Sequence, residues 1–579
     1  MNNAQIADIL DAIASLLELK GEERFKVVAY QRAARAIALH PKEMVLALKE
    51  GDDLRAIPGI GKSIAEKIEE LVRSGRLEYF EELKAQFPPG VTELLHIPGV
   101  GPKTALKLVQ ELGVTSLEEL EAAVADGRVA GLPGLGAKSA ENIERRLREL
   151  RAKERRIPLG AALPIAEELL AGLRQVPGVR QASAAGSLRR FRETVGDIDL
   201  MGTADDPPAA IAAFVALPQV KAALAQGPTK ATVLVHSGLQ VDLRLVEHQD
   251  FGSLLQHFTG SKEHNVALRE WARRRGYSVS EYGIAEIASG RVHHFQREEE
   301  VYRFLGLQFI PPEIREARGE IELAARGALP RLVEADDIRG DLHAHTDWTD
   351  GQDSLEAMVR AARERGYAYL AITDHSVGRG ITNGLSVERL REQRKLLQSV
   401  EQQVGGIRVF HGTEVDIRAD GTLDYPDEVL AELDVVVASL HSALQQPAER
   451  MTERVLRALA NPHVDVFGHP SARLLGERPP VELDWEAVFH QASRTGVALE
   501  INASPGRLDL KDVHVSRARE LGCRFLVNTD AHAARHFAAI RYGVGVARRA
   551  WCESQHILNS RPLAEFEDFL YHRQVVSGL

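Results

Sequence analysis

The stretch Gly196-Asp197-Ile198-Asp199-Leu200 sets two carboxylates two residues apart. On a strand such residues share a face, so Asp197 and Asp199 project together while Ile198 points into the core. Downstream, ATVLVHS and LQVDLRLV meet at Ser237-Gly238 and read as a hairpin, whose second strand carries Asp242 on the face opposite Val241 and Leu243. Three carboxylates converging from two strands can hold two Mg2+ or Mn2+ ions about 3.5–4 Å apart, an arrangement suited to nucleotidyl transfer. Upstream, Gly186-Ser187 lets backbone approach phosphates, with Ser187 and Arg190 as donors.

A second set of chemistry-bearing residues follows a different design. IRGDLHAH, YLAITDH, RVFHGTE, VDVVVASLH, VDVFGH, VALEINAS and RFLVNTDAH are short apolar runs, nearly all ending in a potential ligand. In a βα-barrel the carboxyl ends of the parallel strands gather at one face. His343, His345, Asp350, His375, Glu414, His441, His469, Asp530 and His532 would converge there from distant parts of the chain. A mixed imidazole and carboxylate set favours Mn2+, Zn2+ or Fe2+ over Mg2+ and can hold two or three ions for phosphoester hydrolysis. His411, His463, His490, His514 and His536 are expected to be structural, and Arg379 and Arg507 are candidate phosphate contacts.

The elements that must position these residues differ along the chain. Residues 1 to about 150 read as helices joined by glycine turns, and one pattern recurs at Ile57-Pro-Gly-Ile-Gly61, Ile97-Pro-Gly-Val-Gly101 and Leu132-Pro-Gly-Leu-Gly136. Each turn opens an amphipathic helix and exposes backbone N–H groups that suit a phosphate without reading a base. Gly59, Gly61 and Lys62, then Gly99, Gly101 and Lys103, then Gly134 and Gly136, are the candidate DNA contacts. From Ile338 the texture changes to repeated strand-then-helix units, the signal for a parallel sheet or barrel.

At 579 residues the chain is too long for one core, and 44% hydrophobic with 27% charged residues is ordinary globular composition. Two cysteines, Cys523 and Cys552, exclude a disulfide framework and fit a reducing cytoplasm. No apolar run reaches about 18 residues, so no membrane span is expected. The net charge of -11 argues only weakly against nucleic acid, since local patches set that affinity.

The motifs GSLRR, GDIDL, QVDLRL and FTGS, in that order, resemble the palm and thumb of family X DNA polymerases, the family of DNA polymerase beta. FKVVAYQRAARAI with IPGIGKSIAEKIEELVRSG resembles that family's small N-terminal domain, which holds a downstream 5′-phosphate; the glycine turns resemble helix-hairpin-helix motifs. HxH, TDH, GTE, SLH, GHP and DAH in order resemble the PHP (polymerase and histidinol phosphatase) domain.

The resemblance implies Asp197, Asp199 and Asp242 as metal ligands, with Asp242 also the proton acceptor. It implies Gly186, Ser187, Arg190 and Gly196 at the triphosphate, and Asn265 and Arg269, after Thr259-Gly260, at the minor-groove edge of the new pair. Lys262, in place of an acidic residue, would strengthen triphosphate binding, and His257 stands where better-known members carry a tyrosine. Lys67 falls at the position of the family's Schiff-base lysine, as a nucleophile or as a plain phosphate contact. In the PHP region Glu414 would bridge two ions; His343, His345 and Asp530 would complete the first, His441 and His469 the second, and Asp350, His375 and His532 would hold a third.

The implied fold is multidomain, α+β and α/β. A helical 5′-phosphate-binding domain (1–85) and a fingers-like helical domain (86–150) precede a nucleotidyltransferase-type mixed palm (151–252) and a thumb (253–315). A linker (316–337) then leads to a distorted (β/α)7 PHP barrel (338–579). The implied activity is DNA-directed synthesis across short gaps in base-excision repair, from gapped or primed DNA and deoxynucleoside triphosphates. A Mn2+-dependent 3′–5′ exonuclease, which would also cleave at abasic sites or trim blocked 3′ ends, would occupy the barrel. A template-independent terminal transferase and a metallophosphatase acting on a small phosphate ester use parts of the same residue set, and a non-catalytic repair scaffold is the remaining alternative. The oligomeric state stays open, with a monomer as the default.

Overall fold

The computed structural model describes residues 3–38, 44–49, 53–57, 59–88, 90–95, 100–133, 135–136, 140–141, 143–144, 147, 156–378 and 382–577. The chain divides into two compact units, Met1–Arg156 and Ile157–Leu579. Gly99, Gly134 and Arg379, named above as candidate contacts, lie outside the described residues.

The first unit is helical. In the helix Lys62–Ser74 the buried residues are Ile64, Ala65, Ile68 and Leu71, one stripe at helical spacing that joins a core with Leu10, Leu17, Ile37 and Leu108. Gly61 and Gly101 stand at the N-cap positions of the helices Lys62–Ser74 and Pro102–Leu112, and neither end has a side-chain cap. The turn before Gly61 is glycine by necessity, because Gly59 has φ +96°.

The second unit opens with β1 (Ile157–Pro158), β2 (Val179–Ala184), β3 (Thr194–Val195), β4 (Ile198–Ala204), β5 (Val220–Gln226), β6 (Lys230–Val235) and β7 (Gln240–Val246). Five of these form one mixed sheet in the order β2-β4-β7-β6-β5. β6 and β7 are the expected antiparallel hairpin, with Gly238 at φ +84° in its turn. β4 and β7 run parallel, with Asp199 paired to Asp242. Alternation buries Ile198, Leu200, Val241 and Leu243 and leaves the aspartates on the other face.

The helices Phe251–Thr259, Lys262–Arg273 and Glu298–Phe304 follow, with a three-stranded sheet of β8 (Tyr277–Ser280), β9 (Gly283–Glu286) and β10 (Val292–His293). The segment 316–337, expected as a linker, is packed. Glu320 is buried at the start of the helix Glu320–Ala325, pairs with buried His264 Nδ1 at 2.7 Å and accepts the N–H groups of Ala317 and Arg318. The charges of this segment are paired across elements.

Seven parallel strands complete the unit in simple order: β11 (Gly340–Asp341), β12 (Tyr369–Ile372), β13 (Arg408–Asp416), β14 (Val435–Ser439), β15 (Val466–Gly468), β16 (Ala498–Asn502) and β17 (Phe525–Asn528). A parallel bridge between Ala344 and Ala531 brings the ends of β11 and β17 together, so the barrel is nearly closed. Alternate residues divide between two cores: Val435 and Val437 face one, Val436 and Ala438 the other. The first also takes Phe566 and Leu570 from the C-terminal helix Leu563–Ser577, with Phe566 stacked 4.9 Å from Tyr369. Among the described residues no helix is long and apolar enough to cross a membrane.

Phe566→Ala should lower the stability of the unit Ile157–Leu579 by about 3–5 kcal/mol, the usual result of emptying a buried phenylalanine site. An earlier denaturant midpoint with an unchanged slope in urea is the expected signature.

Candidate metal centres

In the palm, the parallel register of β4 and β7 sets Asp199 beside Asp242, and Asp197 precedes β4 by one residue. Burial, then the neighbouring charges of Asp197 and Asp242, pushes the Asp199 carboxyl up to about 7. Asp242 is held at both oxygens, Oδ1 by the Thr232 hydroxyl and Oδ2 by Gln240 Nε2 at 2.9 Å. Arg244, two residues along the same strand, contributes positive charge near Asp199 and lies over the Phe258 ring at 4.7 Å. Period-two spacing from Asp242 was the signal for it, and the sequence reading passed over it.

Gly186 has φ +60°, and a Cβ there would fall 2.3 Å from Asp199 Oδ2, so backbone meets carboxylate only because the residue is glycine. Ser187 follows it in the short helix Gly186–Arg189, and Gly196 immediately precedes Asp197, with open space where a Gly196 side chain would stand. Arg190 points elsewhere: Nε lies 3.3 Å from Glu316 Oε1, and Nη1 donates to the Thr259 carbonyl. The Thr259 hydroxyl accepts from Arg189 at 2.6 Å, and Gly260 precedes Ser261, which caps the helix that starts at Lys262. Asn265 is fixed between Gln256 Nε2 (2.8 Å) and the His257 carbonyl (2.7 Å), with Arg269 Nη2 3.5 Å from His257 Nδ1.

In the first unit, Lys67 Nζ donates to Ser63 Oγ at 3.0 Å and lies 4.8 Å from the Tyr79 ring centre. Lys62 and Lys103 fall in the first turns of their helices, beside Gly61 and Gly101, and Gly136 lies at the third turn.

At the carboxyl ends of the barrel strands all nine expected residues come together. Glu414 Oε1 lies 2.8 Å from His469 Nε2, 3.2 Å from His441 Nε2 and 3.5 Å from His343 Nε2. Its Oε2 lies 2.8 Å from His375 Nδ1 and 3.7 Å from His345 Nε2. Asp530 Oδ1 is 3.3 Å from His345 Nε2 and 3.6 Å from His343 Nε2. Asp350 faces His532 Nε2 and His375 Nε2, each at 3.4 Å.

Among the described residues, three groups have donor atoms mutually within 4.8 Å: His343 with His345 and Asp530; His375 with Glu414 and His441; and His345 with Asp350, His375 and His532. Buried Nε2 atoms of His343, His345 and His441 make no well-aligned hydrogen bond, although carboxylate oxygens stand 3.2–3.5 Å away. Such spacing fits ligands of a shared cation, whose donors sit about 3.0–3.5 Å apart when each is about 2.1 Å from the ion. Burial, reinforced by His532 and His375, lowers His345 to about 3, while His343, His375, His441 and His532 are raised, against burial, by the carboxylates they face. The donor set therefore fits two or three divalent ions.

Carboxylates behind the histidines orient them. Glu500 Oε1 pairs with His343 Nδ1 at 2.7 Å, and its Oε2 accepts from the His469 backbone at 2.6 Å. Asp416 pairs with His441 Nδ1. Such partners fix ring orientation and raise ligand basicity. Neither was singled out from sequence, yet a glutamate between Leu499 and Ile501 on the inward row of a buried strand was a readable signal. His411, His463, His490, His514 and His536 are outside these groups; His514 stacks on Trp485 at 4.5 Å.

Comparison with known proteins bears on both centres. A helix-hairpin-helix domain profile matches residues 1–77, and a SAM-like helix-hairpin-helix tandem matches 91–149. The DNA polymerase beta thumb matches 254–316, and the PHP domain matches 341–504. The DNA polymerase/3′-5′ exonuclease PolX of Bacillus subtilis (strain 168) is 41% identical over 572 residues, 98% of this chain and 99% of that protein. The chain belongs to the PolX family.

Membership agrees with the helix-hairpin-helix, thumb and barrel regions expected from the motifs, and the family's PHP barrel here extends past the matched span to Asp530 and His532 on the far side of β17. A probable phosphatase of Caldanaerobacter subterraneus subsp. tengcongensis is 30% identical over 205 residues, 33% of this chain and 75% of that protein. One from Shewanella sediminis is 28% identical over 234 residues, 39% of this chain and 90% of that protein.

Glu500→Gln keeps the shape of the His343 support but removes its charge. Titration with Mn2+ followed by calorimetry should show the barrel affinity reduced about 10–100-fold, with the palm affinity unchanged.

Proposed function

We propose that the chain is a DNA-directed DNA polymerase that fills short gaps during base-excision repair, with a 3′–5′ exonuclease in its barrel. The observation that carries the reading is the presence of two separately built donor sets, the β4–β7 aspartates and the Glu414-centred histidines, in one chain. The printed activity of the Bacillus subtilis relative, aligned over nearly the whole length, supports it.

Divalent cations, Mg2+ or Mn2+ in the palm and Mn2+, Zn2+ or Fe2+ in the barrel, would supply Lewis acidity and neutralise phosphate charge at both centres. Asp197, Asp199 and Asp242 would hold them in the palm. Asp242 takes the proton of the primer 3′-hydroxyl, while Thr232 and Gln240 keep its carboxylate in place. The backbone at Gly186-Ser187, with Gly196, cradles the triphosphate, and Lys262 at its helix start adds positive charge there. Arg190 serves that cradle through Glu316 and Thr259. Asn265 and Arg269, beside His257, read the minor-groove edge of the new pair.

Gly59, Gly61, Lys62, Gly101, Lys103 and Gly136 grip backbone phosphates in the first unit, and Lys67 contacts a 5′-phosphate. Such binding weakens steeply with salt. In the barrel the nine residues around Glu414 would hold the ions, with Glu500 and Asp416 keeping His343 and His441 aligned. The likeness of this region to probable phosphatases favours a second substrate for the same pocket, a terminal 3′-phosphate.

A gapped, end-labelled duplex with Mn2+ and deoxynucleotides should be extended by the wild type and by His343→Ala, and degraded by the wild type and by Asp197→Ala/Asp199→Ala. Each loss should exceed about 100-fold with the other activity kept. Loss of both activities in either folded variant contradicts the division of labour, and a 3′-phosphorylated primer tests the second substrate in the same assay.

A further inference from the structure

The residues that follow Gly186-Ser187 are held from three directions. Arg189 forms a two-pronged pair with Glu298 at 2.8 and 3.0 Å. Arg190 is engaged by Glu316 and the Thr259 carbonyl. The third direction is the barrel. Arg549 Nη1 donates to the Arg190 carbonyl at 2.7 Å and to Glu316 Oε1 at 2.9 Å. Glu193 meets Arg473 Nη1 at 2.9 Å and Lys511 Nζ at 3.5 Å.

Between these ties Phe191 has φ +52°, a left-handed conformation unfavourable for a bulky side chain and kept only where neighbours enforce it. Its ring rests on Gly545, in the helix Ile540–Arg549 that follows β17; a Cβ on Gly545 would fall 2.2 Å from Phe191 Cδ1. The absent side chain at Gly545 is the space Phe191 occupies.

Phosphate-binding backbone must be placed to within a fraction of an ångström to act. We infer that the helix Ile540–Arg549 of the barrel is a working part of the polymerase nucleotide site, with Gly545 as a positioning residue that seats Phe191 and thereby fixes the Gly186-Ser187 cradle. This rests on the polymerase reading above. The barrel is then no detachable appendage, because a cradle without it loses the support that holds Phe191 left-handed.

Full-length Gly545→Ala forces a methyl into the Phe191 ring while raising the propensity of its own helix. Phe191→Ala removes the ring and leaves the barrel untouched. With Mn2+ and a primed template, each variant should raise the deoxynucleotide KM about tenfold with kcat within about twofold. Because both act through one contact, the double variant should be no worse than either single one. Degradation of single-stranded DNA should stay at the wild-type level in all three.

An unmoved KM in both single variants against an active wild type overturns this inference alone, as does a fall confined to kcat, which is what a simple loss of folded protein gives. A wild type that incorporates no nucleotide overturns the polymerase reading and this inference with it.

Discussion

Carboxylates crowded against one another, half-buried at Asp199 and fully buried at Glu414, are the constraint on which both centres depend. In the palm, burial and the charges of Asp197 and Asp242 hold Asp199 up to about 7, so at neutral pH the three aspartates cannot all ionise cheaply without a counter-charge. In the barrel, Glu414 is buried among five imidazoles, and Asp530 and Asp350 close the other sides. The Nε2 atoms of His343, His345 and His441 face these carboxylates at ligand-to-ligand spacing without a well-aligned hydrogen bond. Divalent ions would neutralise the crowded carboxylates at both centres.

Backbone regularity turns that constraint into geometry. Parallel pairing of β4 with β7 makes Asp199 and Asp242 neighbours, and the glycine at 186 admits backbone against Asp199. The barrel does the same over a longer range. Its strands follow one another in order, and the bridge from Ala344 to Ala531 draws His343 and His345 to Asp530 and His532. Inward residues are apolar lower in the barrel and become Glu414, Glu500 and Asn528 above, so one alternation supplies the core and the site.

Local periodicity made much of this legible in the sequence. The i, i+2 aspartates, the hairpin turning at Ser237-Gly238, the seven strand-end motifs and the glycine turns each follow from neighbouring residues. What escaped depends on partners far along the chain. Glu500 acquires its role from His343, 157 positions away, and Arg549 from Arg190, 359 away. Segment 316–337 reads as a linker because its partners, His264 for Glu320 and Arg549 for Glu316, are unrelated by spacing. Arg190 read as a phosphate donor by motif, while tertiary contacts commit its guanidinium to Glu316.

Anomalous scattering from crystals of the full-length protein equilibrated with Mn2+ tests the central claim most directly. The account predicts metal peaks on both sides of Glu414, each about 2.0–2.5 Å from one of its oxygens, and further density among Asp197, Asp199 and Asp242. Well-ordered side chains at saturating Mn2+ with no peak at Glu414, or with Asp242 turned away from an unmetallated Asp199, would contradict it.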